Sequence, residues 1–123
     1  MKTNKIKDIT VKVTQKNIID GVPSNSKSCA IALAVMDALP DFNWDNYIPA
    51  VDSDGSIYIC KGSIIKDKVC ADIRKFSIEV DSDTRYDLDD FIYNYDSDLI
   101  EQDEIVECKP WKFDGELNEV IYD

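Results

Sequence analysis

Residues 26–39 read Ser-Lys-Ser-Cys-Ala-Ile-Ala-Leu-Ala-Val-Met-Asp-Ala-Leu and contain the longest apolar, helix-favouring run of the chain. Alanine and leucine lower the free-energy cost of forming a helix, and Ser26 or Ser28 can cap its first turn. Pro40 cannot continue the hydrogen-bond ladder, so we predict that the helix ends before it. Because apolar side chains cover nearly its whole circumference, we expect other elements to enclose this helix.

The segments around this helix predict a sheet. Residues 9–13 alternate apolar and polar side chains, as a strand with one buried face does. An Asp-Gly turn within residues 52–55 separates two β-rich runs, which predicts a hairpin, and Pro49 places the first of these runs at a sheet edge or bulge. Further strands are predicted at 64–65, 68–73, 75–80 and 119–122, and the apolar runs 105–108 and 111–113 precede the last of them. Residues 75–80 should have one face in water because polar side chains alternate with apolar ones.

Two further helices are predicted. Residues 14–21 are expected to form one or two turns, with Thr14 as N-cap and Gly21 in the left-handed conformation that often ends a helix. Residues 87–95 change to helical period, and their apolar side chains recur at i, i+3, i+4 and i+7: Leu88, Phe91, Ile92 and Tyr95. The chain is therefore predicted to be one α+β domain over residues 1–123, with a mostly antiparallel sheet of four to six strands packed around the central buried helix and a second, acidic amphipathic helix.

The net charge of −11 is unevenly distributed. Residues 81–107 hold eleven acidic side chains and one basic side chain, Arg85, and therefore carry −10 of the total. This density disfavours direct binding of nucleic acid and favours a basic partner surface, although an acidic run can also be only a solvated face that keeps a protein soluble. The candidate partner-binding residues are Asp81, Asp83, Asp87, Asp89, Asp90, Asp96, Asp98 and Glu101.

Metal-binding and catalytic motifs are weak in this sequence. Asp52-x-Asp54-Gly55 resembles the middle of a calcium loop, but Ala50 and Lys61 stand where two ligands should be, so a hairpin turn is favoured. The aspartates of the acidic segment are mainly consecutive, whereas a Mg²⁺ site needs carboxylates that converge from separate elements. With no histidine, and four glycines of which none are adjacent, we predict no metal, no cofactor and no enzymatic activity.

The cysteines and the apolar runs indicate the compartment. The four cysteines are irregularly spaced and form no C-x-x-C pair, so we expect reduced and mostly buried thiols: Cys29, Cys60, Cys70 and Cys108. No apolar run approaches the roughly 20 residues that cross a bilayer, and residues 1–8 lack the apolar segment of a signal peptide. These features predict a cytoplasmic protein.

Several short motifs in this sequence are similar to those of a known family. They lie within residues 9–15, at Ile18, Gly21 and Asn25, and within 29–34, 91–96 and 109–113 with Leu117. In this order they resemble a family of short uncharacterised proteins from phages and bacteria, whose members read as a strand, a "TQ..I..G" turn, a "CPIALA" helix, an "FI..FD" helix and a "PF.F.L" closing strand. Ala30 stands where the family has proline, and Trp111 where it has phenylalanine. The resemblance implies a phage or mobile-element origin and implies no activity.

Charge and implied origin together predict a function. We expect a small non-enzymatic counter-defence inhibitor, of an anti-CRISPR or nuclease-inhibitor kind, that acts in the host cytoplasm by nucleic-acid mimicry. Its partner would be a basic host protein such as a nucleic-acid-binding effector. We expect it to bind neither nucleic acid itself nor a membrane. One alternative is a sponge that sequesters a nucleotide immune signal, although only Arg74, Arg85 and scattered lysines could line its pocket. The other is a structural or assembly protein without a defence role.

Overall fold

The computed structural model describes residues 2–22, 25, 28–52, 54–65, 68–96 and 109–121. Within these ranges the chain forms three helices: α1 (Gln15–Asp20), α2 (Ala30–Ala38) and α3 (Ser82–Asp96). It also forms five strands: β1 (Lys2–Val13), β2 (Tyr47–Val51), β3 (Ile57–Ile65), β4 (Lys68–Glu79) and β5 (Trp111–Ile121). The predicted α+β class with an antiparallel sheet is confirmed.

The sheet has the strand order β1-β5-β4-β3-β2, and every neighbouring pair is antiparallel. Strands β2, β3 and β4 form a meander, and β5 then inserts between β4 and β1. The β2–β3 hairpin is the one predicted from the Asp-Gly turn, and Pro49 lies in an edge strand as predicted. At the other edge, β1 carries several lysines, whose charge disfavours pairing with a further strand.

Helix α2 is enclosed, as the sequence predicted. Five of its nine residues are buried, namely Ala30, Ile31, Ala32, Ala34 and Val35, and it packs against β1, β2 and α1. It ends at Ala38, before Pro40. This apolar helix is the centre of a core that also takes side chains from all five strands and from α1 and α3.

The predicted serine cap of α2 is wrong. The helix begins at Ala30, and its N-cap is Cys29, whose side chain makes no capping hydrogen bond. The carbonyl of Asn25 accepts hydrogen bonds from the N–H groups of Ser28 and Cys29 at 3.2 and 2.9 Å, and Val22 N–H donates to Ser28 O at 2.9 Å. These backbone groups of Ser28 and Cys29 are engaged with residues before the helix, and the helix starts after Cys29. Ser26 lies outside the described residues.

Several strand boundaries differ from the prediction. Residues 64–65 belong to β3, and the predicted strands at 68–73 and 75–80 are one continuous β4, with register irregularities between β3 and β4 on either side of Cys60–Lys61. Strand β5 is also continuous and includes both the apolar run 111–113 and the predicted strand at 119–122 as far as Ile121. In β4, irregular pairing with β3 interrupts the period-2 pattern, and one strand was therefore predicted as two. In β5, the turn-favouring pair Asp114 and Gly115 separates the apolar residues at the two ends of the strand. The apolar run at 105–108 lies outside the described residues.

The sheet buries residues on both faces. The face toward the helices contributes Val11, Val13, Ile57, Ile59, Ile78, Phe113 and Leu117 to the core. The predicted wet face of β4 is wrong at Ser77, which is only 3% exposed and lies between Tyr58 on β3 and Asn118 on β5. Its hydroxyl donates to Glu79 Oε1 at 3.2 Å. Ser77 is buried because strands flank it on both sides, whereas Glu79 is exposed.

Gly21 follows α1 and does not have the predicted left-handed conformation. Thr14 caps α1 as predicted, in a capping box with Asn17. Gly21 itself has φ −71° and ψ 157°, which any residue can adopt. A Cβ at this position would lie 2.6 Å from Tyr95 Oη and 2.7 Å from Ala30 N. Glycine is therefore required by close packing and not by backbone conformation.

We predict that Gly21→Ala lowers the free energy of unfolding by roughly 1–3 kcal/mol, because the added methyl group overpacks this junction. It would also displace the Tyr95 hydroxyl, which donates to Ile18 O at 2.9 Å. Chemical denaturation measures the effect. Combining Gly21→Ala with Tyr95→Phe should cost less than the sum of the two single changes, and an unchanged denaturation midpoint for Gly21→Ala would contradict the packing described above.

Candidate functional site

Helix α3 positions the acidic residues, and it starts earlier than predicted. It begins at Ser82 rather than at residue 87. Asp81 is its N-cap: the carboxylate accepts Thr84 N–H at 2.7 Å, and the carbonyl accepts Arg85 N–H at 2.9 Å. The hydrogen bond from Thr84 N–H lowers the pKa of Asp81 below its ordinary value of 3.8. Asp81 was predicted as a partner-binding residue, and its carboxylate is already engaged in the start of the helix.

The cap predicts a pH dependence of stability. Because the pKa of Asp81 is lower in the folded state, the ionised cap stabilises the fold fully above pH 3.8, the ordinary pKa of the group. This stabilisation is lost as the pH falls through the lower pKa of the folded state. Asp81→Ala should therefore lower the melting temperature at pH 7 by a few degrees, whereas Asp81→Asn keeps a capping oxygen and should lower it less. Thermal melts between pH 7 and pH 2 check this; an alanine variant that melts like wild type at neutral pH would contradict the capping role.

Three buried side chains anchor α3 to the core. Leu88, Ile92 and Tyr95 are at most 6% exposed, which confirms the predicted apolar stripe. Phe91 completes the stripe at the edge of the core, where its ring stacks on that of Tyr95 with centroids 5.7 Å apart. Its centroid also lies 5.6 Å from the ring of Trp111, at the start of β5. The helix is thus held in one orientation relative to the sheet.

Arg85, the one basic residue of the acidic segment, is engaged with the β2–β3 turn. Its Nε donates to Asp54 O at 2.9 Å and its Nη2 donates to Ser56 Oγ at 2.7 Å. Ser56 N–H, donating to the Asp54 carboxylate, is the main cause of a lowered pKa of Asp54, and the Arg85 charge adds to it. The guanidinium therefore joins α3 to the turn, and among the described residues it forms no ion pair within 4 Å with a carboxylate of α3.

Four predicted site residues share the solvent side of α3. Asp83, Asp87, Asp89 and Asp90 are all exposed. Helical periodicity puts Asp83, Asp87 and Asp90 on one flank and Asp89 on the other. Within the described residues, none of the four is within 4 Å of a basic side chain. The backbone of Asp96 belongs to the last turn of α3, whereas its side chain, Asp98 and Glu101 lie outside what the structure describes.

Two exposed tyrosines lie between these carboxylates. Tyr86 and Tyr93 are 73% and 75% exposed, and their seven-residue spacing puts them on the same side of the helix. Tyrosine is enriched at protein interfaces because it offers a large apolar ring together with a hydrogen-bonding hydroxyl. The sequence reasoning missed both residues, although their spacing was a usable signal. We define the α3 surface as Asp83, Tyr86, Asp87, Asp89, Asp90 and Tyr93.

A second group of carboxylates lines a cleft at the end of β4. Asp8, Glu116 and Glu79 lie in register on β1, β5 and β4, and the cleft has a volume of about 620 Å³ with Asp81 and Asp114 also in its lining. Lys5 Nζ lies 2.9 Å from Asp8 Oδ1 and 3.3 Å from Glu116 Oε1. These two carboxylates, Asp8 first, raise the pKa of Lys5. Asp81 lines the cleft and is also the N-cap of α3, so the two acidic regions are continuous.

The sequence did not predict this cleft, because its carboxylates are widely separated along the chain and meet only through strand pairing. In the part of the chain that the structure describes, no three histidine, cysteine or carboxylate side chains are placed to hold a metal ion together. The arrangement is therefore suited to attracting positive charge over a broad surface.

The cysteines agree in part with the prediction. Cys29 and Cys60 are buried. The side chain of Cys70 and the whole of Cys108 lie outside the described residues, so the burial of these two, and the reduced state of all four thiols, stay predictions.

Comparisons with protein-family models, with curated proteins and with solved structures found no match for this chain. Among the described residues, no helix has the length and apolar character needed to cross a membrane. The α3 surface combines a fixed helix, uncompensated carboxylates and exposed aromatic rings.

Proposed function

We propose that this protein is a small non-enzymatic binding protein whose α3 surface occupies the basic, phosphate-binding groove of a nucleic-acid-binding protein. Four exposed carboxylates lie on a helix that buried side chains hold in place, and in the described residues no basic side chain lies within 4 Å of them. This arrangement is the observation that supports the proposal. A lysine- and arginine-lined groove is complementary to it in charge.

The spacing of the charges supports mimicry of a phosphate backbone. Asp83 and Asp90 are seven residues apart, which is about 10 Å along a helix axis. Four carboxylates over this distance give about one negative charge per 3.5 Å, close to the ~3.4 Å per phosphate along one strand of B-form DNA. A groove shaped to follow phosphates would therefore meet a similar density of negative charge.

The biological setting rests on the motif resemblance alone. The motifs imply a phage or mobile-element origin, from which we propose a counter-defence inhibitor of an anti-CRISPR or nuclease-inhibitor kind, acting in the host cytoplasm. Three of the motif residues have structural roles in this fold: Thr14 caps α1, Ile18 is buried, and Gly21 permits close packing. The motifs therefore support a common architecture and give no information about the partner.

A nucleotide sponge is not proposed. The cleft at the end of β4 is lined by five carboxylates, and these would repel an anionic nucleotide. The remaining alternative is a purely structural or assembly role, in which the α3 surface is only a solvated face. Binding to an effector would exclude this role, and absence of binding would support it.

Competition with nucleic acid tests the proposal. In a panel of bacterial nucleases and RNA-guided effectors, we predict that the protein displaces a fluorescent oligonucleotide from the one that it binds. Raising the oligonucleotide concentration should raise the apparent Kd for the protein in proportion, because both ligands need the same groove. A stable complex that still holds its oligonucleotide would contradict mimicry, and no binding across the panel would favour the structural alternative.

A further inference from the structure

We propose that the groove between α3 and the start of β5 binds one arginine side chain of the basic partner. The groove has a volume of about 300 Å³ and is lined by Asp87, Asp90, Phe91, Asn94, Lys109 and Trp111. The inference rests on the proposed function and deepens it, because it identifies a specific anchoring point beside a broad acidic field. The α3 residues of the lining are spaced i, i+3, i+4 and i+7, so they form one stripe along the helix.

The lining matches the chemistry of a guanidinium group. Asp87 and Asp90 supply carboxylates, which arginine contacts through its fork of N–H donors. Phe91 and Trp111 supply aromatic rings with centroids 5.6 Å apart and planes inclined at 44°. A planar guanidinium stacks on such rings while its edge reaches the carboxylates, whereas the strongly hydrated ammonium of lysine does so less well. The groove therefore favours arginine over lysine.

Trp111, which lines the groove, also carries a buried hydrogen-bond donor. Its indole Nε1 is buried and has no hydrogen-bond partner among the described residues. A buried N–H without an acceptor is unfavourable, and such groups are rare in folded proteins. A peptide that inserts an arginine here also brings backbone carbonyl oxygens close to the ring. A carbonyl that reached this N–H after a turn of the ring would supply the missing acceptor.

Lys109 should limit the affinity of this site. It is exposed in the lining of the groove, and among the described residues it forms no ion pair with Asp87 or Asp90 within 4 Å. Both carboxylates thus remain open to an incoming cation, while the lysine charge repels that cation. Lys109→Met should strengthen binding, and Lys112→Met provides a control with the same change of net charge outside the groove.

NMR with short peptides tests the site without the partner. The probes are acetylated, amidated Gly-Arg-Gly, its lysine analogue and its uncharged citrulline analogue, added to the ¹⁵N-labelled full chain. The two tryptophans give two indole N–H signals, which Trp44→Phe assigns. We expect the arginine peptide to shift the Trp111 signal and to leave that of Trp44, whose Nε1 donates to Leu39 O, unchanged. The lysine peptide should act more weakly, and the citrulline peptide should have no effect.

Variants with the same change of net charge distinguish binding in the groove from general attraction by the negative charge of α3. Asp87→Asn with Asp90→Asn should weaken arginine-peptide binding roughly tenfold, because both carboxylate contacts are lost. Asp83→Asn with Asp89→Asn changes the net charge of the same helix by the same amount. This second variant should change the affinity for the arginine peptide less than twofold. Equal losses, or no shift of the Trp111 signal, would overturn the arginine site while the competition result could still support the proposed function. Arginine binding without displacement of nucleic acid from any effector would instead support the arginine site and contradict the proposed function.

Discussion

Ala32→Asp is expected to unfold the protein. Ala32 lies in the middle of α2 and is 0% exposed, and buried residues precede and follow it along the helix. A carboxylate there would lose its hydration without gaining a partner, at a cost of several kcal/mol. Because folded domains are typically stable by only ~5–15 kcal/mol, we expect loss of the cooperative melt and aggregation.

Circular dichroism and size-exclusion chromatography measure this outcome. Ala32→Ser is the matched control, since its hydroxyl can bond to a carbonyl of the preceding helical turn and carries no charge. The serine variant should fold with reduced stability. A soluble Ala32→Asp variant with a cooperative melt would show that α2 is accessible to water and would contradict the enclosed helix.

Neutralising the acidic side of α3 should have the largest effect on binding. Replacing Asp83, Asp87, Asp89 and Asp90 by asparagine should leave the fold intact, because all four are exposed and repel one another. An ion pair at 4 Å in water contributes about 1 kcal/mol. Losing four such pairs should raise the Kd for the effector by roughly a hundredfold or more.

A second variant controls for net charge. The changes Asp20→Asn, Asp41→Asn, Asp45→Asn and Glu119→Gln remove four exposed carboxylates that are not part of the α3 surface. This variant should bind within a few-fold of wild type, because the lost charges are outside the proposed contact. Equal losses of affinity in the two variants would show that overall charge, and not the α3 surface, determines binding.

The sequence predicts the parts of the fold where one side of an element is buried. The run around Ala32 and the Leu88–Tyr95 stripe both gave clear patterns, and both were confirmed. The first half of β1 shows no such pattern in the sequence. Residues 3–8 are exposed on both faces of an edge strand, so their side chains need not alternate between apolar and polar. The first turn of α3 was missed for the same reason, since its start depends on the Asp81 cap and not on an apolar stripe.

The candidate site was only partly predictable. Composition located the carboxylates of α3, because they are neighbours in sequence. The alignment of Asp8, Glu116 and Glu79 depends on β5 lying between β1 and β4, which is a tertiary pairing across most of the chain. The groove beside Trp111 likewise needs α3 and β5 to be packed together. Local patterns carry no information about such contacts.

The dependence of affinity on ionic strength tests the central claim most directly. Screening limits attraction between exposed charges to about 8 Å at 0.15 M salt, so a complex held by the α3 surface must weaken as salt is added. The measurement is the Kd for the effector across a series of salt concentrations, for wild type and for the variant with the four α3 aspartates neutralised. We predict a steep loss of affinity for wild type and a much flatter response for the variant. A wild-type affinity that does not change with salt, or parallel curves for the two proteins, would contradict binding through the α3 surface.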